Sequence, residues 1–210
     1  MDRVTDVGVL DKAVAVLDAI EAGPRSLAEL VEVTGLSRAT AHRLATALEA
    51  HRFVARDPAG RFVLGPRLVA SDLARLARPA LEALRDTTGE SAQLYIRQGN
   101  QRVCVASLES PHGLRTIVTV GATLPMTAGS AARVLRGDAT ALARGWAESV
   151  EEREKGVASV SAPVWDGDRV IAAVSVSGPV QRTTRNPGKR YAKAVMRAAR
   201  AVEQLTSRGQ

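Results

Sequence analysis

The chain has 210 residues, 45% of them hydrophobic, and carries 29 Lys and Arg against 22 Asp and Glu. That length holds two small domains with cores of their own, and no apolar run is long enough to predict a membrane span. Cys104 is the only cysteine, which excludes an internal disulfide, and with no secretion signal visible we expect a cytoplasmic protein.

The net charge of +7 favours an anionic partner such as nucleic acid, but its distribution does not mark the site. Residues 1–66 hold eight basic and nine acidic side chains, and most of the positive excess follows Val180. A basic helix that begins at Asn186-Pro187 accounts for that excess as a solvated face. Charge must therefore be judged within each motif.

Three helices and a ribbon are predicted at the start of the chain. The first helix runs from about Val9 to Ala22, with a buried stripe expected at Leu10, Ala13, Val14, Leu17 and Ile20. Ser26 and Glu29 form a capping box that starts the second helix, and Gly35 ends it. Ser37 caps a third helix that runs to about Ala50.

A turn at residues 57–60 follows the third helix. The flanking runs FVAR and RFVL have strand character, and Pro58 and Gly60 suit a tight turn. Two helices joined by a short turn and followed by a two-stranded ribbon are typical of a winged helix-turn-helix. We therefore predict a DNA-binding domain over residues 1–66.

The third helix has the two faces of a recognition helix. Ala41, Leu44, Ala45 and Leu48 share the side expected to pack inward. Arg43 is the expected base contact, and the helix start and the wing are expected to meet phosphate or the minor groove. The candidate DNA-binding residues are Ser37, Arg38, Ala39, Thr40, His42, Arg43, Thr46, Arg56 and Arg61. Taken singly, each also fits an ordinary surface helix.

A linker helix over residues 67–78 and a second domain over residues 79–210 are predicted next. The second domain opens with a helix to Thr87, and strands are expected in QLYIR, RVCVAS, TIVTV, SVSAPV and VIAAVSVS. Helices lie between and after them. The fold class is therefore α+β, with an antiparallel sheet in the second domain.

Alternation along residues 170–177 places Ser175 and Ser177 at the end of an otherwise apolar face. Their hydroxyls either bind a small polar ligand in a cavity or satisfy neighbouring backbone and water, and periodicity alone favours the second reading. The run from Met126 to Ala131 precedes a helix, whose first amides could favour a carboxylate.

Several motifs resemble the IclR family of bacterial transcription regulators, almost end to end. They are GLSRATAHRLATALEAHRFVARDPAGRFVLGPRL near the N-terminus, and GVASVSAPV and AAVSVSGPVQRTTR near the C-terminus. Residues 88–106, together with GWAESVEEREKGVASVSAPV, are most similar to actinobacterial regulators of leucine and other amino-acid biosynthesis genes.

The resemblance implies a homodimer or dimer of dimers that binds operator DNA, and a GAF-like or profilin-like effector domain. Its effector-binding positions match Ser130, Ala131, Ser149, Ser159, Ser175 and Ser177. Some relatives that bind small oxoacids have an aspartate where Ser149 stands, so a different effector is expected, an amino acid or a biosynthetic intermediate.

Two passages are shorter than is usual in that family, at residues 68–78 and 135–145. They indicate either deletions in the chain or segments missing from the sequence, and we expect the second.

Other chemistry is not indicated. Cys104 is interpreted as a small core residue, with redox sensing as the alternative. His42, His51 and His112 lack further ligands at metal spacing, so neither a metal site nor a cofactor is predicted. No catalytic constellation is visible. A nonspecific architectural DNA-binding protein and, with less support, an enzyme with a pocket in the second domain stay open as alternatives.

Overall fold

The computed structural model describes Thr5 and residues 7–207, and the chain divides into two compact units. The first unit ends at Asp72 and the second begins at Leu73. Within the described residues, no helix is both long and apolar enough to cross a membrane.

The first unit has the predicted order of elements. Its helices are α1 (Gly8–Glu21), α2 (Leu27–Thr34) and α3 (Arg38–Ala50), and its ribbon pairs β1 (Val54–Arg56) with β2 (Phe62–Leu64) in antiparallel register. The capping box at Ser26 is present, and Gly35 ends α2 with the positive φ that glycine adopts without strain. The winged helix-turn-helix is therefore confirmed.

The core of this unit forms where the three helices meet the ribbon. Phe62 is buried from the ribbon and Leu30 from α2, while Ala41 and Ala45 bring α3 close to both. Leu44 and Leu48 pack partly buried on the same cluster. The inward face predicted for α3 is thus the face that packs.

The buried stripe predicted for α1 is partly wrong. Leu10 and Val14 are exposed, whereas Val16, Ala19 and Ile20 are the buried residues of the helix. Burial is confined to the last two turns, because only that part of α1 meets α2 and α3. The apolar residues of its first turns stay uncovered in the single chain.

One helix replaces the separate linker helix and second-domain helix of the prediction. Helix α4 runs from Pro66 to Thr88 and contains Pro79 without a break. The residues after Asp72 carry the face that packs on the second core, which includes Leu73, Ala77 and Leu81.

The second unit is built on a six-stranded antiparallel sheet in the order β5-β4-β3-β8-β7-β6. These strands are β3 (Ser91–Gln98), β4 (Gln101–Leu108), β5 (Thr123–Pro125), β6 (Ala147–Val150), β7 (Val157–Asp166) and β8 (Arg169–Pro179). The helices after α4 are α5 (Ser130–Arg136), α6 (Ala139–Arg144), α7 (Val180–Thr183) and α8 (Pro187–Ser207).

The two faces of this sheet differ in chemistry. One face is apolar and packs against α4 and α8, with Leu94, Val160 and Val174 fully buried in it. The other face meets α5 and α6 through a smaller cluster that contains Tyr95, Cys104 and Ala173. Beside that cluster the second face turns polar, and this is where the cavity described below lies.

Two expectations for this unit need correction. Residues 116–119 alternate between buried and exposed side chains as a strand would, but TIVTV forms no ladder, and β5 is the edge strand beside β4 instead. Strand β6 was not predicted. Helix α4 spans the first shortened passage, and Gly137 and Asp138 join α5 to α6 in the second; the origin of both short passages stays a prediction.

Candidate DNA-binding surface and ligand cavity

The start of α3 is held by its cap. The Ser37 side chain accepts from the backbone N–H of Thr40 at 3.3 Å, and the two hydroxyls lie 2.9 Å apart. This fixes the first turn of the helix on the surface of the unit. Of the candidate residues on or beside α3, Thr40 is half-buried and the others are exposed: Ser37, Arg38, Ala39, His42, Arg43 and Thr46.

The arginines of this surface fall into two groups. Arg38 and Arg43 make no hydrogen bond or ion pair within the described part of the chain, so their guanidinium groups are uncommitted. In the wing, Arg56 lies 3.3 Å from Glu49 and stacks 4.1 Å from the centre of the Phe62 ring. Arg61 lies 2.8 Å from Asp57.

The two groups of arginines therefore differ in how readily they can bind DNA. An uncommitted guanidinium on a recognition helix can bind a guanine edge or a phosphate without breaking a contact first. The wing arginines must first leave a half-buried carboxylate, so their binding to phosphate has to offset the loss of an ion pair.

A cavity opens on the polar face of the second sheet, beside α5. All six candidate effector residues line it, although they come from four separate elements. The lining residues are Tyr95, Arg102, Gly129, Ser130, Ala131, Ser149, Arg153, Glu154, Val157, Ser159, Ser175 and Ser177.

The sheet register explains why serines gather there. Ser177 of β8 is the register partner of Ser91 on β3 and of Ser159 on β7, and Ser159 is in turn paired with Ser149 on β6. Four serines therefore form one row across four strands. The neighbouring row brings Ser175 against Gln93 and Ser161.

Several hydroxyls of these rows bond one another. Ser161 donates to Ser175 at 2.9 Å, and Ser130 lies 2.8 Å from Ser161 and 2.7 Å from Ser159. Since each hydroxyl has one hydrogen, Ser159 donates to Ser130, Ser130 to Ser161 and Ser161 to Ser175. We call this series of hydrogen bonds the hydroxyl chain. The Ser175 hydrogen is left over and can be donated to a ligand.

The second row is satisfied only in part. Ser177 donates to the side-chain oxygen of Gln93 at 3.1 Å, while the Gln93 Nε2 is buried without a partner. The Ser149 hydroxyl makes no hydrogen bond within the described residues. Ser175 and Ser177 are both buried and bond neighbouring side chains, and their role in binding stays a prediction.

The amides before α5 are less available than the sequence suggested. The Gly129 N–H donates to the Glu152 carboxylate at 2.9 Å, and that carboxylate also pairs with Arg133. A carboxylate of the chain itself thus occupies the amide expected to attract a ligand.

Sequence reasoning missed Tyr95, Arg102, Arg153, Glu154 and Val157 as cavity residues. Arg102 is 3% exposed and reaches the cavity from β4, which the sequence places far from the serines. Its basic side chain at the start of an otherwise apolar strand pattern was the available signal.

Cys104 lies fully buried in the cluster behind the cavity, and burial raises the pKa of its thiol to about 11. A thiol held in that form is a poor nucleophile, which supports its reading as a core residue. Across the described residues, no group of three or more His, Cys, Asp or Glu could hold a metal ion.

A winged helix-turn-helix with free arginines, followed by a sheet domain with a polar cavity, defines a class of protein: DNA-binding regulators that carry their own small-molecule sensor. The comparisons with known proteins agree. Residues 9–58 match the IclR helix-turn-helix domain, and residues 67–137 and 139–204 match the C-terminal domain of bacterial transcriptional regulator IclR. The chain belongs to the IclR family of transcriptional regulators.

Curated relatives match over most of their length. The glycerol operon regulatory protein of Streptomyces griseus is 31% identical, covering 92% of this chain and 94% of that protein. The HTH-type transcriptional regulator KipR of Bacillus subtilis is 27% identical over 77% of this chain and 81% of its own. These relatives are regulators of transcription rather than enzymes.

Solved structures show the same fold. An IclR-family transcriptional regulator from Rhodococcus sp. has a TM-score of 0.61 at 28% identity, covering 98% of this chain and 96% of its own. An IclR homologue from Microbacterium hydrocarbonoxydans, complexed with 4-hydroxybenzoate, has a TM-score of 0.58 at 20% identity, covering 94% and 98%.

Proposed function

We propose that this protein is a cytoplasmic repressor that acts as a homodimer or dimer of dimers and releases its operator when a small metabolite fills the serine-lined cavity. The observation that carries the proposal is the pairing, in one chain, of an uncommitted recognition surface on α3 with a polar cavity in the second unit. The named relative IclR of Escherichia coli is a transcriptional repressor, which supports repression as the mode.

On α3, Arg43 reads base edges in the major groove, assisted by Ala39, His42 and Thr46. Ser37, Arg38 and Thr40 hold phosphate at the start of the helix, and Arg56 and Arg61 reach phosphate or the minor groove from the wing. The exposed, partner-free state of Arg43 supports its role, because bidentate pairing with guanine needs a free guanidinium.

An apolar stripe on α1 supports assembly with a second copy. Val7, Leu10 and Val14 recur at helical spacing and are 53%, 53% and 45% exposed. Such a stripe is costly in water and suits a self-complementary contact about a two-fold axis. Paired recognition helices would then read the two halves of a pseudopalindromic site.

For the effector we propose an amino acid or an intermediate of its biosynthesis, with genes of leucine-type amino-acid biosynthesis as targets. The free Ser175 hydrogen, the partly satisfied Gln93 and the unbonded Ser149 hydroxyl support a small polar molecule. A small polyol is the second candidate, because the relative from Streptomyces griseus is a glycerol operon regulatory protein.

Ligand binding would act by shifting populations between DNA-competent and DNA-incompetent arrangements of the dimer. A ligand changes that balance only by its difference in affinity for the two states. Operator affinity and effector affinity must then be coupled by the same factor in both directions.

The DNA assignment is tested by Arg43→Ala beside Arg38→Ala, after genomic footprinting has defined the operator. Arg43→Ala should weaken operator binding by about 1–3 kcal/mol and leave random DNA unaffected, since a bidentate base contact carries sequence information. Arg38→Ala should weaken both DNAs alike and reduce the salt dependence. Unchanged operator binding by Arg43→Ala would contradict base reading.

The sensor assignment is tested by thermal shift with amino acids, their biosynthetic precursors and glycerol. A true effector should raise the melting temperature of the wild type, release the operator, and do neither with Ser175→Val. If footprints show no preferred site and no metabolite changes DNA binding, a nonspecific architectural role gains support instead. Turnover of a probe would favour an enzyme.

A further inference from the structure

The one buried charge of the cavity has no ionic partner. Three of its lining residues are charged, namely Arg102, Arg153 and Glu154, and only Arg102 is buried. No acidic residue that the structure describes forms an ion pair with Arg102. The interior of the cavity therefore carries one uncompensated positive charge.

The hydrogen bonds of Arg102 are incomplete. Its Nη1 donates to the carbonyl of Pro125 and, at 3.0 Å, to that of Ala128. Its Nε is buried without a partner. A buried guanidinium that bonds only neutral carbonyls and leaves its buried Nε–H without an acceptor is costly, and a carboxylate would remove most of that cost.

The surroundings hold this guanidinium in place. The guanidinium carbon lies 5.6 Å from the centre of the Tyr95 ring, and a Cβ on Gly129 would lie 3.1 Å from Nη2. Gly129 also has a φ of 98°, which favours glycine. Burial lowers the pKa of Arg102, yet an arginine keeps its charge at neutral pH.

We propose that Arg102 anchors a carboxylate of the effector, so that the cavity selects small hydroxy or amino carboxylic acids over neutral polyols and amides. The anionic end pairs with the guanidinium, and the polar remainder bonds the serine rows through the free hydrogen of Ser175. This inference rests on the proposed function, because it takes the cavity as the effector site.

A purely structural role is the competing account, since Arg102 also ties the loop before α5 to β4. The matched control is Arg136, whose guanidinium donates to the Met126 carbonyl of the same loop but does not line the cavity. A structural role predicts that Arg102→Gln and Arg136→Gln change stability and leave the preference among ligands intact.

The experiment measures calorimetric affinities of the full chain for acid and amide pairs: lactate and lactamide, glycerate and glyceramide, leucine and leucinamide, with glycerol as the neutral polyol. At least one acid should bind the wild type more tightly than its amide. Arg102→Gln should lower the affinity for that acid roughly 10- to 100-fold, as expected for a charged hydrogen bond, and leave the affinity for the amide unchanged. Arg102→Lys should lower the affinity for the acid by less, and Arg136→Gln should bind both ligands as the wild type does.

Three results would overturn the proposal: no acid of the panel binds, a neutral probe binds best, or Arg102→Gln binds the acid as the wild type does. Should Arg102→Gln fail to fold, the Nε–H signal of Arg102 in ¹⁵N-labelled wild type decides, because a bound carboxylate must shift it. An unmoved signal in the presence of a bound acid rejects the anchor.

The outcome separates this inference from the proposed function. If a neutral probe binds, releases the operator and loses its effect in Ser175→Val, the sensor stands and the Arg102 anchor fails. If an acid binds through Arg102 but operator affinity does not change, the anchor stands and the regulatory role of the cavity fails.

Discussion

The DNA-binding surface and the cavity solve opposite physical problems. On α3, Arg38 and Arg43 are exposed and uncommitted, and water solvates their charges until DNA replaces it. In the cavity, the serine hydroxyls are largely buried and bond one another, so the site stays stable while empty. Arg102 departs from this second pattern, since it is buried like the serines but, like Arg38 and Arg43, has no carboxylate partner among the described residues.

The contrast separates two kinds of consequence. Substitutions on α3 should change DNA affinity with little effect on folding, because surface side chains without partners contribute little to stability. Substitutions among the buried polar groups of the second unit should change folding as well, because each leaves a partner unsatisfied. The following variants test that division.

The largest effect is expected at the buried Glu90 carboxylate, just before β3. Glu90 is 2% exposed and is held by Arg182 through two hydrogen bonds of 2.7 and 2.8 Å. Arg182→Met should destabilise the second unit by about 3 kcal/mol, because the carboxylate stays buried without its cation. Urea unfolding followed by the fluorescence of Trp146 and Trp165, both in that unit, measures this loss.

The control for that variant is Arg185→Met. Arg185 is exposed and pairs with Glu151 at 3.0 Å on the surface, so its loss should be far smaller. Equal losses for the two variants would mean that burial does not distinguish these ion pairs.

A smaller effect is expected within the hydroxyl chain. Ser161 is fully buried and bonds both Ser130 and Ser175, whereas Ser149 is nearly as buried and bonds neither. Ser161→Ala should cost about 1–3 kcal/mol, because two buried hydroxyls lose a partner. Ser149→Ala should be close to neutral by the same tryptophan-detected unfolding, and a reversed order would contradict the hydroxyl chain described above.

The helices and the ribbon of the first unit could be predicted from the sequence because the signals that set them are local. The capping box at Ser26, the αL glycine at Gly35 and the cap at Ser37 each act within a few residues, and all three are present in the structure. The prediction of a buried stripe along all of α1 was partly wrong because burial depends on contacts that are not local. Helical periodicity shows that Leu10 and Val14 share a face, but not how far along the helix its neighbours reach.

The cavity was predictable only in part. Strand alternation singled out Ser175 and Ser177, and family resemblance supplied the binding role and the other four candidates. The structure places all six candidate residues around one cavity; their binding role stays a prediction. Arg102 and Tyr95 could not be found from periodicity, because the pairing of β3 with β4 and the path of the loop before α5 bring them there. Strand β6 is too short for its alternation to stand out.

The smallest predicted effect is a change in the stability of the first unit at low pH. Hydrogen bonding from the backbone of Ser26 is the main cause that lowers the pKa of Glu29. A carboxyl whose pKa is lower in the folded than in the unfolded state stabilises folding above the unfolded value, and this contribution is lost as pH falls through the folded value. The first unit should therefore lose a small increment of stability below about pH 4.5.

Glu29→Gln isolates that increment, because the amide oxygen can still accept from Ser26 but does not titrate over this range. Far-UV circular dichroism is the suitable probe, since both tryptophans lie in the second unit. The difference between the urea midpoints of wild type and Glu29→Gln should shift in favour of the variant as the pH falls to about 3. A difference that does not change with pH would show that the capping carboxylate has the same pKa in the folded and unfolded chain, and that this cap gains nothing from the charge of Glu29.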